Sequence, residues 1–420
     1  MTSRERLIAA LNHKPVDRIP FDLGGTSVTG IHVSSLHALK VALGLLSPHK
    51  PVKVSNPFLM LGEVDNQLRR KLQIDTIPLS SPGNSFGFEN ANWKPWRLFD
   101  GTPVMVPQKF NTEPDDRGDI VQYPRGDRRF QPSARMPHGG FYHDAIIRKK
   151  EVVDDELTVA NQTEEYTIMK EEHLVYYESE VNRLYQETDY GIISRGVSGT
   201  NLGDIAHIPG CALPDPKGIR DVEEWYISLM TRKEFLKEVF ARMTDIALEN
   251  LRLFHQAVGE KIQIIVISAA DFGSQHGLFI SQDLYRELFK PYHTMVNRWV
   301  HEHTTWKTFI HTCGSIRGLV PDLHEAEFDI LNPVQISAFD MDPVQLKEQY
   351  GKWFTFWGGG INTQHTLPFG SPDEIREEVK RFIGIFGAGS GYVWNAVHNI
   401  QANIPIANLM TLFETLNVYR

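Results

Sequence analysis

Apolar residues recur along the chain at two alternating spacings. Residues 262–268 form a largely apolar segment of strand length, continuous from Ile264 to Ile267, and further strand-length segments stand at 75–79, 190–196, 306–310, 328–332, 353–358 and 391–395. Continuous runs of this kind suit strands of a parallel sheet that is covered on both faces. Between them the spacing changes to that of one-sided helices, over 222–230, 233–258, 343–350, 372–386 and 404–416. In the longest, Phe235, Leu236, Phe240, Met243, Ala247, Leu251 and Phe254 fall on one side. The pattern also predicts helices over 2–13, with Leu7, Ile8, Ala10 and Leu11 as the stripe, and over 35–45, 60–72, 164–187 and 315–327. Ser281 opens another, into which Pro291 puts a kink. Strand followed by helix, repeated this often, predicts a closed (β/α)8 TIM barrel, α/β in class, as a single domain over 1–420. Within it, residues 80–145 are rich in Pro, Gly and Asp between short alternating runs such as 102–106 and 120–123. That texture predicts a β-hairpin-rich decoration inserted in or layered on the barrel.

Charge and cysteine content narrow the function classes. A net charge of -9 argues against a nucleic-acid partner. No apolar run reaches the length needed to span a membrane, and the first residues carry no apolar signal core. Only Cys211 and Cys313 are present, so no disulfide framework is needed and a reducing, cytoplasmic location is expected.

Candidate chemistry collects where the strand segments end. The polar residues there are Asp22, Ser194, Arg195, Asp271, Gln275, His311, Cys313, Asn332, Gln335, Asn362, Gln364, Asn395, His398 and Asn399. In a TIM barrel the C-terminal ends of the strands carry the site. Of these, His311-Thr312-Cys313-Gly314 stands out, because a His and a Cys two apart at a strand end point the same way and both suit zinc. A catalytic zinc takes three protein ligands and leaves one position open. His398, after the last strand, is the preferred third; His276, His365, Cys211 and the carboxylates of Asp271 and Asp22 are the alternatives. A bound zinc would acidify a thiol or polarise an ether or alcohol oxygen, with Asp271 or a His moving the proton and Asp22 lining the pocket.

Several motifs, taken in order, resemble the uroporphyrinogen decarboxylase superfamily and, within it, the cobamide-dependent methyltransferase-like branch. They are Arg4-Glu5-Arg6 with residues 15–20 (PVDRIP), Asp22-Leu23-Gly24-Gly25-Thr26, Asp271-Phe272-Gly273-Ser274-Gln275 with Ile280-Ser281, and His311-Thr312-Cys313-Gly314. Residues 329–335 (DILNPVQ), Trp357-Gly358-Gly359, Asn362-Thr363-Gln364 and Leu367-Pro368 complete the set. The resemblance implies a (β/α)8 barrel with its site at the C-terminal mouth. It also implies transfer of a methyl group between a small-molecule donor or thiol and a separate corrinoid protein, which carries the cobalamin. Asp271 and Asp22 then stand as catalytic residues, with Gln275, Arg195, Asn332, Gln335, Trp357, Gln364 and Asn399 toward substrate and His311, Cys313 and His398 on zinc. Thiol-methylating relatives carry a further Cys late in the chain; none follows Cys313 here, which leaves His398 as the replacement. The alternative within the superfamily is decarboxylation of uroporphyrinogen. Its Arg-Gln-Ala-Gly-Arg and Phe-Ser-Asp-Ile stretches are absent, although Asp75 stands in a roughly comparable place. A non-catalytic small-molecule-binding barrel is the third reading. A homodimer is compatible with a barrel of this type.

Overall fold

The computed structural model describes residues 1–420. Seven parallel strands form one curled sheet: β1 (Thr76–Leu79), β2 (Gly191–Ser194), β3 (Ile264–Ser268), β4 (Lys307–His311), β5 (Ile330–Asn332), β6 (Thr355–Trp357) and β7 (Tyr392–Val393). Each strand pairs with the next in sequence. Residues 20–22 bridge the two edges of the sheet. The Asp22 N–H donates to the Trp394 carbonyl, the Trp394 N–H to that of Pro20, and the Asp75 N–H to that of Phe21. The architecture is a TIM-barrel-like mixed α/β fold. No helix is long and apolar enough to cross a membrane.

The strands are buried on both faces, and two apolar cores follow from that. One lies between sheet and helices, where the stripe of Lys233–Val258 packs through Leu236, Phe240, Leu251 and Phe254. The other fills the barrel. Ile193, Ile264, Phe309, Ile330, Trp357 and Val393 come from six consecutive strands, and Leu7 and Leu11 of the helix Ser3–Leu11 pack against them. That helix starts where it does because Thr2 and Glu5 cap it reciprocally. Side chains two apart on a strand share a face. His311 follows Phe309 by two and Asn332 follows Ile330 by two, so both face the barrel axis one layer nearer the C-terminal mouth.

The opposite end is tied by ions. Asp75, just before β1, is fully buried and accepts from Arg6, Arg18 and the Phe21 N–H at 2.7–2.9 Å, with Arg420 Nη1 at 3.9 Å.

Three elements differ from the sequence reading. The helix expected over 60–72 begins only at Asn66: Met60 has a left-handed backbone, Leu61–Gly62 pairs with the strand Val52–Asn56, and Asp65 caps the helix by accepting from the Leu68 N–H. The helix expected over 164–187 covers Glu171–Glu187. Ahead of it, Glu164 and Glu165 turn to Arg220, while Asn250 holds the backbone of Thr167 and Met169. The expected 315–327 helix is a 3-10 turn, Arg317–Leu319, followed by Val320–Glu325. Between residues 52 and 145 lie two small sheets. One has the order Leu61–Gly62, Val52–Asn56, Pro103–Val106, Lys94–Arg97; the other is antiparallel, with Ile120–Gln122, Ala134–Met136 and Asp144–Ala145. They share a separate core that includes Val54, Met60, Phe86, Phe110 and Cys211.

Candidate metal centre

β4 and β5 end side by side, with His311 and Asn332 directly paired in register. Two residues past β4, the Cys313 thiol lies 3.3 Å from His311 Nε2. The loop after β7 brings in His398, whose ring meets that of His311 edge to face at 5.4 Å. The donor atoms of His311, Cys313 and His398 all lie within 4.8 Å of one another, and no other such group of His, Cys, Asp or Glu occurs in the chain. Cys211 is taken out of the site by its place in the separate core, where its sulfur lies 3.5 Å from the Ser133 carbonyl. His276 and His365 are exposed on loops and join no donor cluster.

Backbone hydrogen bonds lace the loop after β4 to its neighbours. The Cys313 N–H donates to Asp271 Oδ1 at 2.7 Å, the Gly314 N–H to Gln335 Oε1 at 2.7 Å and the Ser315 N–H to the Ser274 carbonyl at 2.7 Å. In return, the Phe272 N–H donates to Thr312 Oγ1 at 3.0 Å. Gly314 makes this approach feasible. Its φ is +92°, and a Cβ would collide with the backbone of Gly273 and with the Ser274 carbonyl. Gly314→Ala is therefore expected to cost more than the ~1–2 kcal/mol of a left-handed residue alone and to disturb Cys313. A lower melting temperature together with lower metal content checks this, whereas an unchanged melt would remove the argument.

The electrostatics favour a cation. Burial, and then the Asp271 carboxylate, push the Cys313 thiol well above its ordinary range. Burial, with His311 nearby, pushes His398 down to about 3, so its imidazole is neutral and able to ligate at neutral pH. A buried thiolate needs a positive partner, and two imidazoles plus one thiolate form a donor set that zinc accepts. Asp271 keeps a third of its side chain exposed, with Oδ1 4.0 Å from His311 Nε2.

The remaining candidates divide between the rim and the interior. Gln275 Nε2 donates to Gln364 Oε1 at 3.3 Å, and Ser337 meets the same oxygen, so three loops join at the rim. Arg195 is exposed at the end of β2. Gln335 is buried on the Gly314 N–H. Asn399 is buried too; it accepts from the Gly30 N–H and donates to the Ser27 carbonyl. Trp357 is fully enclosed against Phe309, and its indole N–H donates to Asp22 Oδ2 at 3.0 Å. Asp22 is sealed as well. Its other oxygen accepts from Thr76 and the Gly25 N–H, and burial raises its pKa despite those bonds. Sequence reasoning missed Thr312 as a loop tie and the direct His311–Asn332 bond. The second was accessible in principle, because adjacent parallel strands that both end on a polar residue put those residues together.

A model of the uroporphyrinogen decarboxylase family, URO-D, matches residues 212–419. Over 75 residues the chain is 28% identical to a uroporphyrinogen decarboxylase from Mannheimia succiniciproducens, a match that covers 18% of this chain and about a fifth (20%) of that relative's length. A methyltransferase from Methanosarcina mazei has the same fold, with a TM-score of 0.53 and 15% identity over 100% of this chain and 99% of its own. His311, Cys313 and His398 all fall within residues 212–419, the stretch that is similar to the uroporphyrinogen decarboxylase family.

Proposed function

We propose that the protein is a zinc-dependent methyltransferase that moves a methyl group between a small molecule and a corrinoid held by a separate protein. One observation carries the reading: a thiol and two imidazoles converge within 4.8 Å at the mouth of a TIM-barrel-like sheet. His311, Cys313 and His398 would hold the metal, and three protein donors suit a catalytic zinc, which keeps one position for substrate or water. When bound, zinc supplies Lewis acidity, which acidifies a thiol or polarises a methyl-bearing oxygen.

The chain's own residues do the rest. Asp271 faces the mouth beside His311 and Cys313, so its carboxylate can hold the proton released from a thiol or hand one to a leaving alcohol. Gln275 and Gln364, joined at the rim, offer amide groups to a polar substrate. The sealed Asp22 acts through Trp357 and not on substrate. No D-x-H-x-x-G corrinoid motif occurs in the chain, so the cobalamin arrives on a partner. Asp75, the residue nearest in position to a decarboxylase acid, sits at the opposite end of β1, held by Arg6 and Arg18. That location favours methyl transfer over porphyrinogen decarboxylation.

Elemental analysis combined with a methylcobalamin assay tests the proposal. About one zinc per chain is expected, with zinc-dependent loss of the methyl–cobalt absorption when a thiol acceptor is present, or its appearance from reduced cobalamin and a methoxy donor. Failure to retain zinc after reconstitution would overturn the metal assignment. Metal-independent consumption of uroporphyrinogen would replace the reading with decarboxylation.

A further inference from the structure

The carboxamide of Asn332 has one orientation that satisfies its neighbours. One of its ends lies 2.9 Å from the Trp357 carbonyl, and a carbonyl only accepts, so that end is the Nδ2 amino group. The other end, Oδ1, is then the atom 2.6 Å from His311 Nδ1. An amide oxygen also only accepts, so the ring proton of neutral His311 sits on Nδ1 and the lone pair on Nε2. Nε2 is the atom 3.3 Å from the Cys313 sulfur, and the His398 ring meets that of His311 with centroids 5.4 Å apart. The lock has a rigid base. Trp357 is fully enclosed and its indole is bonded to Asp22.

We propose that Asn332 is a positioning residue that fixes His311 as the Nδ1–H tautomer and aims its Nε2 lone pair at the point shared with Cys313 and His398. This moves Asn332 out of the substrate-contacting set, in keeping with its complete burial. It deepens the metal reading and rests on it for its effect on affinity, whereas the tautomer itself is a property of the metal-free protein. Outer partners of this kind orient a ligating imidazole and raise its basicity, and their loss typically costs 10–100-fold in metal affinity.

Two variants and one spectrum test the proposal. Zinc affinity is measured by competition with a chromogenic chelator for the wild type, Asn332→Leu and Asn332→Asp. The Leu variant, without an acceptor, is expected to lose about 10–100-fold. The Asp variant, which still accepts from Nδ1–H, is expected to stay within about tenfold of wild type. A residue that merely fills space would give the reverse order, with Leu tolerated and the buried carboxylate harmful, and that result would overturn the proposal. Nitrogen-15 NMR of the histidines in the metal-free wild type is expected to report a protonated Nδ1 and a bare Nε2 for His311; the opposite tautomer also overturns it. Should wild type bind no zinc, the metal reading fails, and the NMR result still decides the tautomer lock. Should the Leu variant not fold, the spectrum and the Asp variant decide.

Discussion

Cys313→Ala is expected to lower zinc affinity beyond the 10–100-fold that an outer partner costs, because it deletes a ligand and not a support. Thiolate is the only anionic donor in the cluster, so the variant also loses charge compensation for the metal. The pH dependence gives a second signature. Burial and Asp271 hold the metal-free thiol protonated at neutral pH, so zinc must displace a proton from sulfur. Wild-type affinity therefore rises as pH increases through the neutral range. His398 adds nothing to that rise above about pH 4, since its imidazole is already neutral there. Cys313→Ala should lose the sulfur's share of the slope as well as the affinity. Chelator competition at several pH values, with circular dichroism to check the fold, measures both. A variant that keeps wild-type zinc content and wild-type slope would remove Cys313 from the ligand set.

Asp75→Ala is expected to have its effect on stability instead, at ~3–5 kcal/mol, the typical cost of removing one partner of a buried ion pair. Asp75 is fully buried, and the Arg6 side chain facing it is nearly so. Arg18 and Arg420 sit on the same carboxylate. Taking it away leaves three guanidinium groups converging without that counterion and strips an acceptor from the Phe21 N–H. Asp75→Asn, which keeps one acceptor oxygen, should cost less. Urea unfolding quantifies the loss, and zinc per folded chain should not change, because Asp75 lies at the N-terminal end of β1, away from the mouth. A loss of zinc at unchanged stability would contradict this division between the two ends of the barrel.

The fold was legible where burial is two-sided. The runs that became β3, β4 and β5 carry apolar residues on both faces, and that distinguishes them from surface strands. Where the chain bends on a single residue the pattern misled. Leu61 and Leu68 share an apolar spacing but belong to a strand and a helix: the left-handed Met60 turns the chain into the strand, and the Asp65 cap starts the helix after it. At the site, the strand-end rule found His311 and Asn332 because alternation carries the inward face forward from Phe309 and Ile330. It did not separate residues that face the mouth from those that brace it. Trp357 and Asn399 sit at strand or loop ends like Gln275, yet one is sealed over Phe309 and the other is spent on Gly30 and Ser27. Local sequence carries no signal for that difference, which depends on which loop from elsewhere lies above.

The bridging of the sheet's edges by residues 20–22 bears on when the site comes into being. His311 ends β4 and Cys313 lies two residues beyond it, so the two meet as soon as β4 is formed. His398 reaches them only from beyond β7, at the seam where Trp394 pairs with residues 20–22, Ile400 exchanges backbone bonds with Gly30 and His32, and Asn399 grips the 27–30 turn. A chain whose first and last strands have not yet met offers two donors instead of three. On the proposed reading, metal loading is thereby conditional on a finished ring, and a half-folded molecule has little hold on a reactive ion.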